Sequence, residues 1–292
     1  MRLASLLTIL IASASITVLS ACSSTNAVPN PPVFAHLYVT DGSGNVDVYR
    51  LPLTAASTPT LTFAAGGCAY CGLAVSQHKL YVGAGSTVKV YQLPLTASST
   101  SIQTLTASAS TTLSIAADSS GTIYVAENSS GTCCVDVFQG GASTPTFTLS
   151  GASVASPYGV AIDSAGNAFV ANASSIGYFA ATVHSGEAGI TFGRDDFNEG
   201  LVTDSADNLY VADGDGQGTM DVYHPAYTGA SAPASTVTLT AGYLEQMAMS
   251  TNGTMYIANE SPNQIDVLTS PYTANSVTVP TSFQPYGIAV GP

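Results

Sequence analysis

The sequence predicts an all-β chain that folds as a six-bladed β-propeller with four strands in each blade. Three observations predict this: a phrase that recurs six times, four strand-like segments in each repeat, and a C-terminal strand without a blade of its own. A repeat of about 40 to 50 residues that contains several short strands is typical of propellers. We expect the propeller to occupy residues 34–292, with its C-terminal strand closing the N-terminal blade.

The recurring phrase is an apolar residue, then an aromatic residue, then Val or Ile. Its copies begin 43, 43, 45, 41 and 46 residues apart, at Leu37, Leu80, Ile123, Ala168, Leu209 and Met255. In the fifth repeat, strand-like segments cover 200–203, 209–212, 220–223 and 236–239, which we call strands a, b, c and d. Strands a and b are separated by segments that open with Asp and carry Gly or Asn near their end. These residues favour turn geometry, so we predict a turn in each segment.

The ends of the chain predict how the ring closes. The first repeat, at His36, has no a strand before it, and the last a-type segment, 287–290, has no b, c or d strand after it. The last strand should therefore complete the first blade, which leaves only short, protected sheet edges. A β-solenoid would give this leftover strand no role, and a seven-bladed ring would lack the residues for its seventh blade.

Several repeats resemble the NHL and YVTN families of bacterial propellers. The segments that carry the resemblance are Tyr-Val-Thr-Asp at 38–41, Tyr-Val-Ala-Glu at 124–127, Tyr-Val-Ala-Asp at 210–213, Tyr-Ile-Ala-Asn at 256–259 and Pro-Tyr-Gly-Val-Ala-Ile-Asp at 157–163. The resemblance implies the propeller architecture over residues 36–292. It leaves function open, since such folds host lactonases, lyases and binding modules.

The first 21 residues predict a secretory signal peptide. A basic start at Arg2 precedes an uncharged apolar stretch, which ends in Leu19-Ser20-Ala21-Cys22. This ending resembles a bacterial lipobox, and the resemblance implies cleavage before Cys22 and lipidation of its thiol. An ordinary secretory signal with an incidental Cys and a transmembrane helix are the alternatives.

The segment 22–33 is then the lipid-bearing Cys followed by a polar, Pro-rich tether that cannot bury a core. A lipid anchor makes the membrane a partner and predicts a location in the bacterial cell envelope. Ser23 and Ser24 follow the lipidated Cys, where lipoproteins retained at an inner membrane commonly carry Asp. The resemblance therefore implies an outer-membrane or cell-surface location.

The charge balance excludes nucleic acid as a partner. The chain has five Lys and Arg against 18 Asp and Glu, and removal of the signal peptide leaves four basic residues and a net charge of −14. Nucleic-acid binding requires a basic footprint, which this chain does not have.

Strand direction predicts which residues meet at the channel mouth. In antiparallel blades the d–a and b–c loops share one face, which we call the top face. Residues just before each a strand should ring the channel there, and we predict a binding rim for a protein or small ligand: Tyr70, Tyr158, Asn198, Glu199, Glu245, Gln246 and Tyr286. Tyr combines an apolar ring with a polar tip and suits such a rim, although loop packing explains single tyrosines equally well.

Two acidic stretches on top-face loops are candidate cation sites, and calcium is the cofactor their oxygens would accept. They contain Asp195 with Asp196, and Asp213 with Asp215. A solvated loop and ordinary turn chemistry are the alternatives, and neither spacing matches an EF-hand.

Four cysteines remain besides Cys22, in two close pairs on the top face. Cys68 and Cys71 precede an a strand, and Cys133 and Cys134 begin a c strand in the next blade. Export to an oxidising compartment favours two structural disulfides, whose pairing the sequence leaves open. A zinc or copper thiolate site and a redox pair are the alternatives.

These features predict a membrane-anchored binding or scaffold module with no assigned catalytic residue. The alternative is a metal-dependent lactonase or lyase similar to gluconolactonase-like and streptogramin-lyase-like propellers. The former place Glu, Asn and Asp from several blades around a channel metal. Here only Asn198, Glu199 and Glu245 match, from two adjacent blades, and the histidine pattern of the lyases is absent. Asp residues that recur in four c strands (Asp47, Asp136, Asp221 and Asp266) indicate a structural role on an exposed or edge face.

Overall fold

The protein is described by a computed structural model that covers residues 35–128, 134–181, 188–193 and 198–292, with the backbone alone at Asn198. The predicted signal peptide and tether lie outside the described residues. In the described part, 24 strands form six four-stranded antiparallel sheets. No helix in these ranges is long and apolar enough to cross a bilayer.

The first three blades follow the chain from its start. Blade one contains β1 (His36–Asp41), β2 (Val46–Arg50) and β3 (Leu61–Phe63). Blade two contains β4 (Leu73–Ser76), β5 (Lys79–Gly83), β6 (Thr87–Gln92) and β7 (Gln103–Thr106). Blade three contains β8 (Thr112–Ala117), β9 (Ile123–Glu127), β10 (Val135–Phe138) and β11 (Phe147–Leu149).

The remaining blades repeat this order, and the last strand returns to the first blade. Blade four contains β12 (Pro157–Ile162), β13 (Ala168–Asn172), β14 (Ser175–Phe179) and β15 (Ile190–Phe192). Blade five contains β16 (Asn198–Thr203), β17 (Leu209–Asp213), β18 (Thr219–Tyr223) and β19 (Ser235–Thr238). Blade six contains β20 (Leu244–Met249), β21 (Met255–Asn259), β22 (Gln264–Leu268) and β23 (Val277–Pro280), and β24 (Pro285–Gly291) joins blade one.

The predicted closure is confirmed. Strand β24 pairs antiparallel with β1, with Val290 opposite Leu37 and Ile288 opposite Val39. The innermost strands β4, β8, β12, β16, β20 and β24 contact one another in that order, and β24 also contacts β4. The molecule is therefore a closed six-bladed propeller, as the repeat and the leftover strand predict.

Blade packing explains the recurring phrase. Alternate residues of a strand point to opposite faces of its sheet. Leu37 and Val39 accordingly pack toward blade six, whereas Tyr38 packs toward blade two. The same division recurs around the ring, with one apolar cluster at each of the six blade boundaries. Because both sheet faces are buried, the b strands are apolar almost throughout.

The a–b turns form as their composition predicts. In one such turn, Asp163 Oδ1 accepts hydrogen bonds from the backbone N–H groups of Ala165 and Asn167, at 3.0 and 2.8 Å. Asp118 and Asp204 do the same in their blades. The fourth turn residue has positive φ in all three turns; it is Gly in two of them and Asp207, rather than the expected Gly or Asn, in the third.

The recurrent c-strand Asp residues are structural, but the predicted exposed position is wrong. All four are buried. Each lies opposite a Thr of the outermost strand d and accepts a hydrogen bond from its hydroxyl, in the pairs Asp47 with Thr62, Asp136 with Thr148, Asp221 with Thr236 and Asp266 with Thr278. Buried carboxylates require such partners, which is why Asp and Thr recur together.

Candidate functional site

Two cavities lie along the ring axis, one above the other. The upper one, which we call the cup, has a volume of about 330 Å³ and is lined by residues at or just before the start of all six innermost strands, together with two top-face loops. The lower one, which we call the lower channel, has a volume of about 250 Å³ and is lined by the following residues of the same strands: 73–75, 115–117, 160–162, 201–203, 247–249 and 288–290.

Glycines allow the innermost strands to approach one another between the two cavities. The residues at this level are Gly72, Ser114, Gly159, Gly200, Gln246 and Gly287. A Cβ atom at Gly159 would overlap the carbonyl oxygen of Glu199, and one at Gly200 would overlap that of Glu245. Neighbouring blades therefore pack backbone against backbone at this level. The channel is narrow here, and the cup lies above the narrow part.

Gln246 closes the floor of the cup. Its side chain extends from blade six and donates an amide hydrogen bond to the carbonyl oxygen of Leu113, which belongs to blade three on the opposite side of the ring. The side chain thus crosses the axis and separates the cup from the lower channel. A glycine, as in four of the other blades, would leave the two cavities connected.

Four tyrosine rings line the cup. Tyr70 and Tyr243 lie on d–a loops with 53% and 47% of their surfaces exposed, whereas Tyr286 is buried and Tyr158 is partly buried. The Tyr70 and Tyr286 ring centroids are 4.3 Å apart. A disulfide between Cys68 and Cys71 brackets Tyr70, so this ring lies on a short covalent loop. The rings offer apolar faces to anything that enters.

Three glutamates lie in the same cup. Glu199 and Glu245 are the second residues of the inner strands of blades five and six, and Glu260 lies on the b–c loop of blade six. Glu245 is within hydrogen-bond reach of both other carboxyl groups. Glu260 Oε1 lies 3.0 Å from Gln284 Nε2 and 3.3 Å from the Tyr286 hydroxyl.

Burial and mutual repulsion change the protonation of these carboxyl groups. Desolvation raises the pKa of Glu245 far above its usual range, and the charges of Glu199 and Glu260 raise it further. Desolvation also raises the pKa of Glu199, assisted by the charges of Glu260 and Asp213. The cup therefore holds carboxyl protons more tightly than free glutamates would, and the protonation of Glu199 and Glu245 is shared between them.

The cup has an acidic side and an apolar side. The glutamates come from blades five and six, whereas Tyr70, Leu113 and Tyr158 come from blades two, three and four. No Lys, Arg or His lines the cup among the residues that the structure describes. The acidic side thus has no cationic partner within that part of the chain.

Most of the predicted rim residues come together. Tyr70, Tyr158, Glu199, Glu245, Gln246 and Tyr286 all line the cup. For Asn198 the structure describes only the backbone, which pairs with Asp213. Tyr243 and Glu260 also line the cup and are not among the predicted rim residues. Glu260 lies on a b–c loop, whereas the predicted rim contains only residues near the starts of a strands. Aromatic and acidic residues on the top-face loops were the signal in the sequence for both.

The predicted cation ligands receive no support as a cluster. Asp195 and Asp196 lie outside the described residues. Asp213 Oδ1 accepts from the Asp215 backbone N–H at 3.1 Å, and Oδ2 accepts from the Thr219 hydroxyl at 3.1 Å, so its oxygens stabilise the loop. Within the described ranges, no three His, Cys, Asp or Glu residues are placed to hold a metal ion.

The cysteines that the structure describes form disulfide bonds, as predicted. Cys68 pairs with Cys71, and Cys134 is also disulfide-bonded. Because Cys68 and Cys71 use each other, the partner of Cys134 lies outside the described residues, where Cys133 also falls. The thiolate-metal alternative is therefore wrong for Cys68 and Cys71.

Comparison with known proteins supports the propeller fold. No protein-family model and no curated protein matches the chain. Among solved structures, a chain of a nidogen/laminin complex is similar, with a TM-score of 0.66, 17% identity, and coverage of 88% of this chain and 98% of that one. A protein of unknown function from Bacteroides caccae has a TM-score of 0.61 and 12% identity, with 88% and 99% covered. The WD40 β-propeller domain of Doa1 has a TM-score of 0.58 and 13% identity, with 87% and 82% covered. At these identities the similarity shows a β-propeller and nothing finer.

Proposed function

We propose that this protein is a lipid-anchored, extracytoplasmic binding module whose small ligand enters the cup. The observation that carries the proposal is the composition of the cup, to which all six inner strands contribute. Small-molecule sites are concave, largely apolar cavities with a few converging polar groups. The cup matches this description, with its tyrosine rings and three glutamates.

The rigidity of the ring supports binding without large movement. The cup residues sit at strand starts or on short loops, and a disulfide restrains the loop that carries Tyr70. Sites built on rigid elements lose little entropy when a ligand binds. Tyr70 and Tyr243 are the cup rings with the largest exposed surface, so they are the first that a ligand would contact.

Ligand-observed NMR with a panel of neutral, anionic and cationic fragments tests the proposal. We expect fragments that bind the wild-type protein to lose binding in the double variant Tyr70→Ala/Tyr243→Ala. Ile102→Ala removes another exposed apolar side chain that does not line the cup, and it serves as the matched control. A panel without a single binder, or binders unaffected by the double variant, would contradict a ligand site in the cup.

The anchor is a separate part of the proposal. It rests on the ordered signal features that end in Leu19-Ser20-Ala21-Cys22, and the Cys68–Cys71 disulfide supports an oxidising compartment. We expect the protein to incorporate labelled palmitate and to partition into detergent, and we expect Cys22→Ser to abolish both. Cys133→Ser, which removes a cysteine away from the predicted cleavage site, serves as the control for loss of any other cysteine. Labelling that survives Cys22→Ser would refute the anchor.

A further inference from the structure

We infer that the ligand of the cup is an organic cation, an ammonium or amine group that carries an apolar portion. This inference rests on the proposed binding function and names the chemical class of the ligand. It follows from three features of the cup: aromatic faces, acidic groups without a cationic partner among the described residues, and an apolar side chain across the axis from them.

The aromatic faces favour an organic cation over a metal ion. A tyrosine ring attracts a cation placed over its face, and several rings around one cavity are the arrangement that recognises quaternary ammonium groups. Tyr70 and Tyr286 form one wall with ring centroids 4.3 Å apart, and Tyr243 reaches the cup from the loop before blade six. A hard metal ion would need converging oxygens instead, and the three glutamates are not placed to hold one.

The acidic groups lack a partner of opposite charge in the described chain. Glu199 Oε2 is buried and receives no hydrogen bond from any N–H or hydroxyl group among the described residues. Its neighbour is another carboxyl group, Glu245, which is in turn within reach of Glu260. Buried polar atoms are rarely left without a donor, so this oxygen is suited to accept one from a ligand. A bound cation would also relieve the repulsion among the three glutamates.

The two sides of the cup indicate what the rest of the ligand is. The glutamates come from blades five and six, whereas Leu113 lies across the axis in blade three and Tyr158 lies in blade four. Gln246 closes the floor, so a ligand cannot pass down the axis. At about 330 Å³ the cavity is at the small end of ligand sites. It suits a compact cation with its charge toward Glu260 and its apolar part toward Tyr158.

Isothermal titration of the full-length protein with choline and with 3,3-dimethylbutan-1-ol tests the inference. These probes have the same shape, but the second has a neutral carbon in place of the charged nitrogen. We expect choline to bind at least about tenfold more tightly. We expect Glu260→Gln and Tyr70→Leu/Tyr243→Leu each to weaken choline binding severalfold. Asp207→Asn, which removes one charge in an a–b turn on the opposite face, should leave choline binding unchanged.

The outcomes separate this inference from the proposed function. Equal binding of both probes, or binding of neutral fragments alone in the cup, would overturn the cationic class and leave the binding module standing. Calcium that binds and displaces choline from the cup would overturn it in favour of a metal site. Failure of every probe and every fragment would overturn the inference together with the proposed function.

Discussion

The side-chain amide of Gln246 donates a hydrogen bond across the ring axis to the carbonyl oxygen of Leu113 on the opposite blade. Four other blades carry glycine at the position of Gln246, and blade three carries Ser114. One side chain therefore decides whether the axis contains one deep cavity or a shallow cup above a separate channel. This contact links the stability of the ring to the shape of its candidate site.

Replacement of Gln246 should cost stability and deepen the cup. Gln246→Ala leaves the Leu113 carbonyl without its donor and opens a gap between the two cavities. We expect the free energy of unfolding to fall by about 1–3 kcal/mol. Gln103→Ala is the control, because Gln103 donates to a backbone carbonyl in an exposed setting, and it should cost less than about 0.5 kcal/mol. Chemical denaturation measures the free energy of unfolding of both variants. Equal losses would show that the hydrogen bond across the axis contributes no more than an exposed one.

The inner strands pack so closely that even a glycine with an ordinary φ angle cannot be replaced without loss of stability. A Cβ at Gly200 would overlap the backbone carbonyl of Glu245 in the next blade. Gly200→Ala should therefore destabilise the protein by about 2–3 kcal/mol, because backbone cannot move aside easily. At Gly229 the nearest atom to a new Cβ is at ordinary contact distance, 3.5 Å, so Gly229→Ala should be nearly neutral. Equal melting temperatures for both variants would show that the inner strands do not pack backbone against backbone at Gly200.

A buried carboxyl pair in blade three makes stability depend on pH. Glu127 is fully buried and faces the carboxylate of Asp136, itself fully buried. Desolvation, and then the hydrogen bond and charge of Asp136, raise the pKa of Glu127 to about 8. The folded protein thus keeps a proton that the unfolded chain releases above its ordinary pKa of 4.5. This contribution to stability is complete below that value and is lost as the pH rises through about 8.

Glu127→Gln tests this linkage, since glutamine keeps a donor toward Asp136 without titrating. We expect the variant to be more stable than the wild type by roughly 2 kcal/mol at about pH 8, and the difference to vanish at about pH 4. Urea denaturation at both pH values measures the difference. A difference in the free energy of unfolding that stays the same at both pH values would contradict a raised pKa at Glu127.

The carboxyl groups of the cup predict that binding of choline releases a proton. Glu245 faces Glu199, Glu260 and Tyr286, and Asp213 adds its charge to Glu199. A cation favours the ionised forms and lowers the raised pKa values of Glu199 and Glu245, so affinity should increase with pH above the ordinary carboxyl range. Calorimetry in buffers with different ionisation enthalpies measures the released protons. Heats that do not depend on the buffer would show that no carboxyl group titrates on binding.

The architecture could be predicted because it repeats. Burial of both sheet faces forces the apolar phrase into every b strand, and the unpaired strand at 287–290 fixes the closure. Six of the rim residues followed from strand direction alone, since every a strand starts on the same face.

The remaining features depend on contacts between distant residues. Glu260 enters the cup from a b–c loop, and Gln246 meets Leu113 across 133 positions of sequence. The burial of Asp136 could not be read from its alternation with valine, because the edge-strand Thr148 that satisfies it belongs to another segment. Periodicity predicts strands and faces, whereas side-chain partners across the axis require the folded ring.

Anomalous diffraction from crystals soaked with tetramethylarsonium tests the central claim most directly. This cation is a heavy-atom analogue of tetramethylammonium, so its arsenic atom can be located without ambiguity. The account predicts one strong peak in the cup, over the rings of Tyr70 and Tyr286 and on the side of Glu260. A peak only at another place on the protein, or none at a concentration that saturates binding in solution, would contradict it.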